Sequence, residues 1–357
     1  MNPKTVEPEI ERILGPQTIV HSVERSGKSG WCHTLKISTS KGNYFLKECS
    51  DYESAEPMFR GEAAALKHLH DMMPTACPEP YGWGQYKNRP GTWFLLMEFL
   101  DFAKEASLLA KTQQDHSAPS EQDTEAGNFS SMKDAGIKLP TAKQIAQFVS
   151  EMHKSTSGTS PDGKFGFHVP TCHGKFVQPN DWNSSWSQYF SNLLTLIYEM
   201  DINNGGASSE YEKAFKTLQK HTIPRLLEPL QADGRVLNPC LVHGDLWEGN
   251  MGLSEETGEP MVYDPALFYA HNEFELGMWQ TTFVPRESGQ AYRDHYLQLV
   301  PPSEPKEEYE DRIVLYSLFF NMCHSMHWTK ETQQSILEDM TFLNNKYLTD
   351  EDATSGE

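Results

Sequence analysis

His243-Gly244-Asp245-Leu246-Trp247-Glu248-Gly249-Asn250 follows the apolar Leu241-Val242 and precedes Asp264-Pro265 by fourteen residues; its reading decides the fold. Phosphoryl transfer needs an Asp beside the attacking hydroxyl, an Asn five residues on against one Mg²⁺, and a later Asp against the other. Asp245 and Asn250 reproduce the five-residue step, and Asp264 follows Met261-Val262-Tyr263, which reads as a short strand. A turn between buried strands would explain Gly244 and Asp245 through backbone freedom and capping. It would leave Asn250 and Asp264 without a reason. His243 reads as a residue that braces the loop by hydrogen bonding.

Working upstream, residues 31–49 have hairpin character. Trp31, His33, Leu35 and Ile37 alternate with polar positions, Ser40-Lys41-Gly42-Asn43 supplies the turn, and Tyr44-Phe45-Leu46-Lys47 returns. Ahead of it, Ser26-Gly27-Lys28-Ser29-Gly30 can bring backbone N–H groups close to phosphates. Residues 56–70 carry helical periodicity, with Phe59, Ala63, Leu66 and Leu69 on one face. Glu62 falls on that face, where a carboxylate is costly unless paired. Lys47 is its natural partner, and in protein kinases this pair holds the lysine against ATP phosphates. Trp93-Phe94-Leu95-Leu96-Met97-Glu98-Phe99-Leu100 then reads as a strand entering a hinge whose backbone can bind adenine.

Residues 103–138 are rich in Ser, Gln, Asp, Glu, Ala and Gly, and are expected to form a polar, mobile insertion. Helical pattern resumes over 141–153, and further helices are expected at 183–200, 209–231, 273–281 and 307–322. The tail 350–357 is acidic. These segments predict an N-terminal lobe over 1–97, a hinge at 98–102, the insertion, a helical lobe over 139–349, and the tail.

Fifty acidic against thirty basic residues give a formal charge of −20, which argues against a phosphate-tracking nucleic-acid binder or an anionic membrane surface. The six cysteines form no Cys-x-x-Cys, so neither a zinc cage nor a disulfide framework is expected, and a reducing, cytoplasmic setting is. No apolar run approaches the roughly 20 residues of a membrane span, and the start lacks the regions of a signal peptide.

Three stretches narrow the kinase-like reading. The loop from His243 to Asn250, with Trp two residues after the Asp, resembles the catalytic loop of the fructosamine/ketosamine-3-kinase family. Tyr263-Asp264-Pro265-Ala266-Leu267-Phe268-Tyr269-Ala270-His271-Asn272-Glu273-Phe274-Glu275-Leu276 resembles that family's metal-binding region. Phe165-Gly166-Phe167, Asn180-Asp181-Trp182 and Trp186 resemble its substrate-side segment. The likeness runs from about residue 10 to the C-terminal helices, outside 103–138.

The resemblance implies an α+β, bilobal protein-kinase-like fold with a small antiparallel-sheet N-lobe and a mainly helical C-lobe. It implies ATP and Mg²⁺ as cofactors. Asp245 would be the base, with Asn250 and Asp264 holding metal. Lys47 would contact phosphates, Glu62 would position it, and the loop bearing Gly27 and Gly30 would cover them. Met97, Glu98, Phe99 and Leu100 would form the hinge, and Trp247 would offer its ring to a sugar. Asn180, Asp181, His271 and Glu273 are further substrate-side expectations. Cys32, in the covering loop, reads either as a buried thiol or as one open to oxidation that could link two chains, so the chain would be a monomer or a redox-dependent dimer. The expected substrates are glycated proteins or small ketosamines phosphorylated on the carbon-3 hydroxyl, leading to deglycation. An aminoglycoside- or choline-class kinase shares every one of these catalytic residues, and a non-catalytic ATP-binding scaffold is the alternative of a different class.

Overall fold

Alternating polar and apolar residues from Val20 to Cys49 produce paired strands in the computed structural model, which describes residues 6–27, 29–50, 53–105, 136–328 and 331–348. A short helix α1 (Pro8–Leu14) leads into β1 (Val20–Arg25), β2 (His33–Thr39) and β3 (Gly42–Cys49). Helix α2 (Ala55–Met72), β4 (Pro80–Gln85) and β5 (Trp93–Glu98) complete the lobe. The sheet runs β1-β2-β3-β5-β4, antiparallel throughout.

The two-residue period of a strand sorts this sheet into faces. Leu46, Phe94 and Leu96 pack outward with Ile10 and Leu14 of α1 in a small core of their own. Leu95, Met97 and Cys49 face inward, onto Phe59, Leu66 and Leu69 of α2, in a core continuous with the second lobe. Lys47 belongs to the inner face, in register with Leu95 and Thr34. The expected hairpin and helix are therefore both present, while β1, β4 and α1 extend the lobe beyond what the pattern suggested.

The second lobe is mainly helical. Helix α3 (Ala142–Thr156) starts at a reciprocal capping box between Thr141 and Gln144. A small hairpin, β6 (Thr171–His173) and β7 (Phe176–Gln178), precedes α4 (Trp186–Gly205). The expected helix over 209–231 is broken: α5 (Ser209–Thr217) passes through a π turn, Leu218–Thr222, into the short α6 (Ile223–Leu227) and a 3₁₀ turn. Pro224 and Pro229 lack the N–H that a continuous helix would use there. Strands β8 (Cys240–Val242), β9 (Met251–Leu253), β10 (Pro260–Val262) and β11 (Phe268–Ala270) form two minimal hairpin-like ladders around the loop from His243 to Asn250.

Helix α7 (Glu273–Met278) is followed by α8 (Arg286–Leu297), α9 (Tyr309–His327) and α10 (Glu331–Tyr347). Helix α9 is buried along nearly its whole length, which makes it the lobe's central helix, and it runs on to His327. Among the described residues no helix is long and apolar enough to cross a membrane. Most of the expected insertion at 103–138, and the acidic tail, lie outside the described residues.

Candidate active site

Strand β8 pairs with β11, so Val242 opposes Phe268 and the chain leaves a buried ladder directly into His243. Gly244 adopts φ 80°, and a Cβ there would lie 2.5 Å from the Ala266 carbonyl oxygen. Only glycine fits that turn. Two backbone amides of the turn, those of His243 and Gly244, donate to the two carboxylate oxygens of the fully buried Glu275 on α7, the second at 3.1 Å. The His243 ring accepts at Nδ1 from the Asp245 N–H at 3.3 Å, so its proton sits on Nε2, which donates to the Tyr263 carbonyl at 3.0 Å. That imidazole ties the Asp245 loop to the segment after β10 that bears Asp264, and burial holds its pKa below the ordinary value.

Asn250 donates from Nδ2 to the Asp245 carbonyl at 2.8 Å and to Asp245 Oδ2 at 2.9 Å. The five-residue step is thus closed into a ring, with the amide oxygen of Asn250 left for another partner. Burial in the cleft, then the charge of Asp264, push the Asp245 carboxyl up to about 7; the Asn250 hydrogen bond pulls it back. Asp264 itself sits at φ 56°, a left-handed conformation that Asp tolerates better than most residues. Its carboxylate meets the Lys47 ammonium, which also donates to Glu62 Oε1 at 2.7 Å. Burial alone would lower the Lys47 pKa, but Asp264 and Glu62 raise it, so this lysine stays charged. Burial raises Glu62 to about 7 despite the lysine.

These donors suit Mg²⁺. The ion takes one or two carboxylates and completes its shell with water and substrate phosphates, so it needs no cage built from protein alone. Asp264, its side chain 43% exposed in the cleft, and the amide oxygen of Asn250 supply oxygen ligands of that kind. Among the described residues no three His, Cys, Asp or Glu side chains converge on a point.

The site opens into a cleft of about 1220 Å³ between the lobes. One half is walled by Ser26, Gly27, Ser29 and Gly30 of the β1–β2 loop, by Lys47, and by Met97, Glu98, Phe99 and Leu100 after β5. The other half, beyond Asp245, is walled by Trp31, His173, Trp247, Phe320, His327 and Trp328. Gly249 fixes the Trp247 ring: a Cβ at that position would lie 2.2 Å from the indole. The sequence reading placed Lys47, Glu62, Asp245, Trp247, Asn250 and Asp264 in one site, and the structure brings these six together.

Four expected substrate-side residues are not among the cleft walls, and three of them meet a need of the fold. Asn180 is buried and hydrogen-bonds Val169 O, Thr171 Oγ1 and Tyr189, bracing the β6–β7 hairpin. Asp181 is exposed and lies outside the cleft walls. His271 is sealed between Tyr316 and Ser303 at 2.8 and 2.9 Å. Glu273 forms a buried two-point ion pair with Arg312 of α9 at 2.7 and 3.0 Å. Trp31 and Trp247 apart, the residues that wall the half beyond Asp245 come from the β6–β7 turn and the end of α9, and no local spacing links them to Asp245. Cys32 is half-buried, with its thiol 3.9 Å from Met58 Sδ, the buried of its two readings. Its hydrogen bond with Cys49, and then burial, push its pKa up, the direction that disfavours the reactive thiolate.

A family model described as fructosamine kinase matches residues 4–127 and 131–343. The chain is 28% identical over 340 residues to the ketosamine-3-kinase of Mus musculus, covering 94% of this chain and 99% of that one. It is also 28% identical over 340 residues to the chloroplastic protein-ribulosamine 3-kinase of Arabidopsis thaliana, covering 93% and 87%. Among solved structures, a candidate fructosamine-3-kinase from Haemophilus somnus superposes with a TM-score of 0.67 at 20% identity, covering 95% of both chains. The aminoglycoside phosphotransferase APH(4)-Ia, in a complex with AMP-PNP and hygromycin B, does so with a TM-score of 0.57 at 10% identity, covering 95% and 98%. At such identities these two establish the protein-kinase-like fold.

Proposed function

This chain belongs to the fructosamine kinase family, and from that premise we propose that it transfers the γ-phosphoryl group of ATP to the carbon-3 hydroxyl of a ketosamine. The observation that carries the reading is the meeting of Lys47–Glu62–Asp264 with Asp245–Asn250 in a cleft whose far half is aromatic. The names of the relatives, a protein-ribulosamine 3-kinase and a ketosamine-3-kinase, support a ketosamine as substrate, and we propose a fructosamine or ribulosamine on a lysine or a small amine.

Each group has a task set by its position. The β1–β2 loop covers the phosphates, and the segment Met97 to Leu100 receives adenine through its backbone. Lys47, held charged by two carboxylates, lies where phosphate oxygens need a cation. Asn250 and Asp264 would hold Mg²⁺, which would supply charge neutralisation on the phosphates. Asp245 orients the acceptor hydroxyl and accepts its proton as the phosphorus–oxygen bond forms, while ADP leaves with the electron pair of the broken bond. Burial holds the Asp245 carboxyl above the ordinary carboxylate range, the direction that favours accepting a proton. No covalent enzyme intermediate is needed, since the reaction depends on positioning and electrostatics. Trp247 supplies a flat apolar surface for the sugar.

The product explains a purpose. Enolisation of the ketosamine toward carbon 1 places the carbon-3 phosphate where it can leave as inorganic phosphate. Hydrolysis of the resulting iminium by one water then frees the amine and a deoxyosone, so the net result is deglycation. All six cysteines are free thiols, which suits a reducing compartment, and we propose the cytoplasm. The test is ATP turnover with Mg²⁺ on ribulosyl-lysine and fructosyl-lysine, beside choline and an aminoglycoside. Turnover on the ketosamines is expected; turnover on the controls alone would move the function to another small-molecule kinase.

A further inference from the structure

The segment that covers the phosphates does not end in the nucleotide half of the cleft. Trp31, directly after Gly30, reaches the second lobe and packs on His327 and Trp328 at the end of α9, with ring centroids 4.7 and 4.9 Å apart. The Lys175 ammonium lies 5.3 Å from the centre of the same ring. Gly174 makes the slot: its φ is 54°, and a Cβ there would come within 2.9 Å of both the Trp31 ring and His327 Nε2. His327 is fixed in turn, since its Nε2 donates to the His173 carbonyl at 3.0 Å. On the loop side, Ser29 Oγ accepts from the backbone amides of Trp31 and Cys32 at 3.2 and 3.1 Å, which sets the tip. The indole therefore has a built seat.

We infer that Trp31 is an acceptor-positioning residue, carried on the nucleotide-covering loop, that makes ATP and the acceptor bind cooperatively. The inference rests on the function proposed above. Gly27 and Gly30 of this loop line the nucleotide half, while Trp31 lines the acceptor half together with Trp247, His173 and Trp328. A nucleotide that draws the loop down seats the indole and completes the acceptor wall. An acceptor packed against the indole holds the same loop position. Two ligands that favour one arrangement must tighten each other by the same factor. The bulky residue after the glycines, out of place in a purely phosphate-binding loop, then has a reason.

The test is calorimetric titration of AMP-PNP with Mg²⁺, with and without ribulosyl-lysine, alongside steady-state kinetics. In the wild type the acceptor is expected to tighten the nucleotide by about fivefold or more, the lower end of ordinary coupling. Trp31→Ala brings that factor close to one and raises KM for the ketosamine by about tenfold, against a change of about twofold in nucleotide affinity measured alone. Trp31→Phe restores most of the coupling. Should the alanine variant not fold, Trp31→Leu, which keeps apolar bulk without the indole, carries the same expectation. A folded variant with wild-type coupling and KM overturns the inference while ketosamine turnover by the wild type stands. A wild type that phosphorylates no ketosamine overturns the functional reading, and the inference with it.

Discussion

Glu275→Gln removes one charge and moves no bulk, yet it should loosen the catalytic loop. Both oxygens of the buried carboxylate are used, one by the His243 amide and one by the Gly244 amide. A hydrogen bond to a charged group contributes about 1.5–3 kcal/mol, and a buried donor left unpaired costs about 1–3 kcal/mol. Glutamine keeps one acceptor oxygen but turns an NH₂ toward the other backbone N–H, so one amide loses its partner. A loss of about 2–4 kcal/mol follows, roughly one charged bond plus part of the unpaired cost. The same change frees the turn that carries Asp245, and a displacement of about 1 Å at the reacting groups can cost about 10²-fold in rate. Urea unfolding measures the first effect and kcat at saturating ATP the second. A variant as stable and as fast as the wild type would refute the claim that Glu275 sets the loop.

Three further outcomes are expected. Asp245→Asn keeps the Asn250 ring of contacts near its present shape but cannot accept a proton, so kcat should fall by about 10²–10⁴-fold with the urea midpoint unchanged; near-normal turnover would remove Asp245 from its role. Gly244→Ala puts a Cβ against the Ala266 carbonyl at φ 80°, which should cost about 1–3 kcal/mol in unfolding free energy and lower activity with it; a neutral substitution would mean the turn is not held as described. His271 is buried neutral, its pKa pushed down to about 4 from an ordinary 6.5. Between those values the unfolded chain binds the extra proton, so this residue's share of stability is full above about pH 6.5 and declines by up to about 1.4 kcal/mol per unit as pH falls toward 4. Glu62 and Asp245, raised to about 7, act in the opposite sense, so the check is the pH slope of wild type minus that of His271→Gln. Equal slopes would contradict the assignment.

The catalytic groups were legible because each is fixed by its near neighbours. Asp245 and Asn250 belong to one loop, and Glu62 betrays itself as a carboxylate on an apolar helix face that needs a buried cation. The acceptor half was not legible in the same way. His173, His327 and Trp328 come from a hairpin turn and from the far end of α9, and only the packed lobe brings them beside Asp245. Glu273 and Glu275 illustrate the limit most clearly. They are two residues apart on α7, and the sequence reading singles out only Glu273. The first pairs with Arg312, and the second reaches the catalytic loop. Strand β4 escaped notice because Pro80, Gly82 and Gly84 suppress strand character, and only its pairing with β5 supplies it. Cys32 has two readings in the sequence, a buried thiol and an oxidisable loop thiol, and only the packing decides that the thiol turns inward to Met58 and Cys49.

The most direct test of the central claim is phosphorus NMR of ribulosyl-lysine incubated with enzyme, ATP and Mg²⁺. A new phosphate-ester resonance coupled to the carbon-3 proton is expected to grow with ADP, then decay into inorganic phosphate as free lysine appears. The Asp245→Asn protein should leave the ATP resonances unchanged over the same interval. Loss of ATP to inorganic phosphate with no sugar ester, or an ester formed equally by the Asp245→Asn protein, would contradict the account.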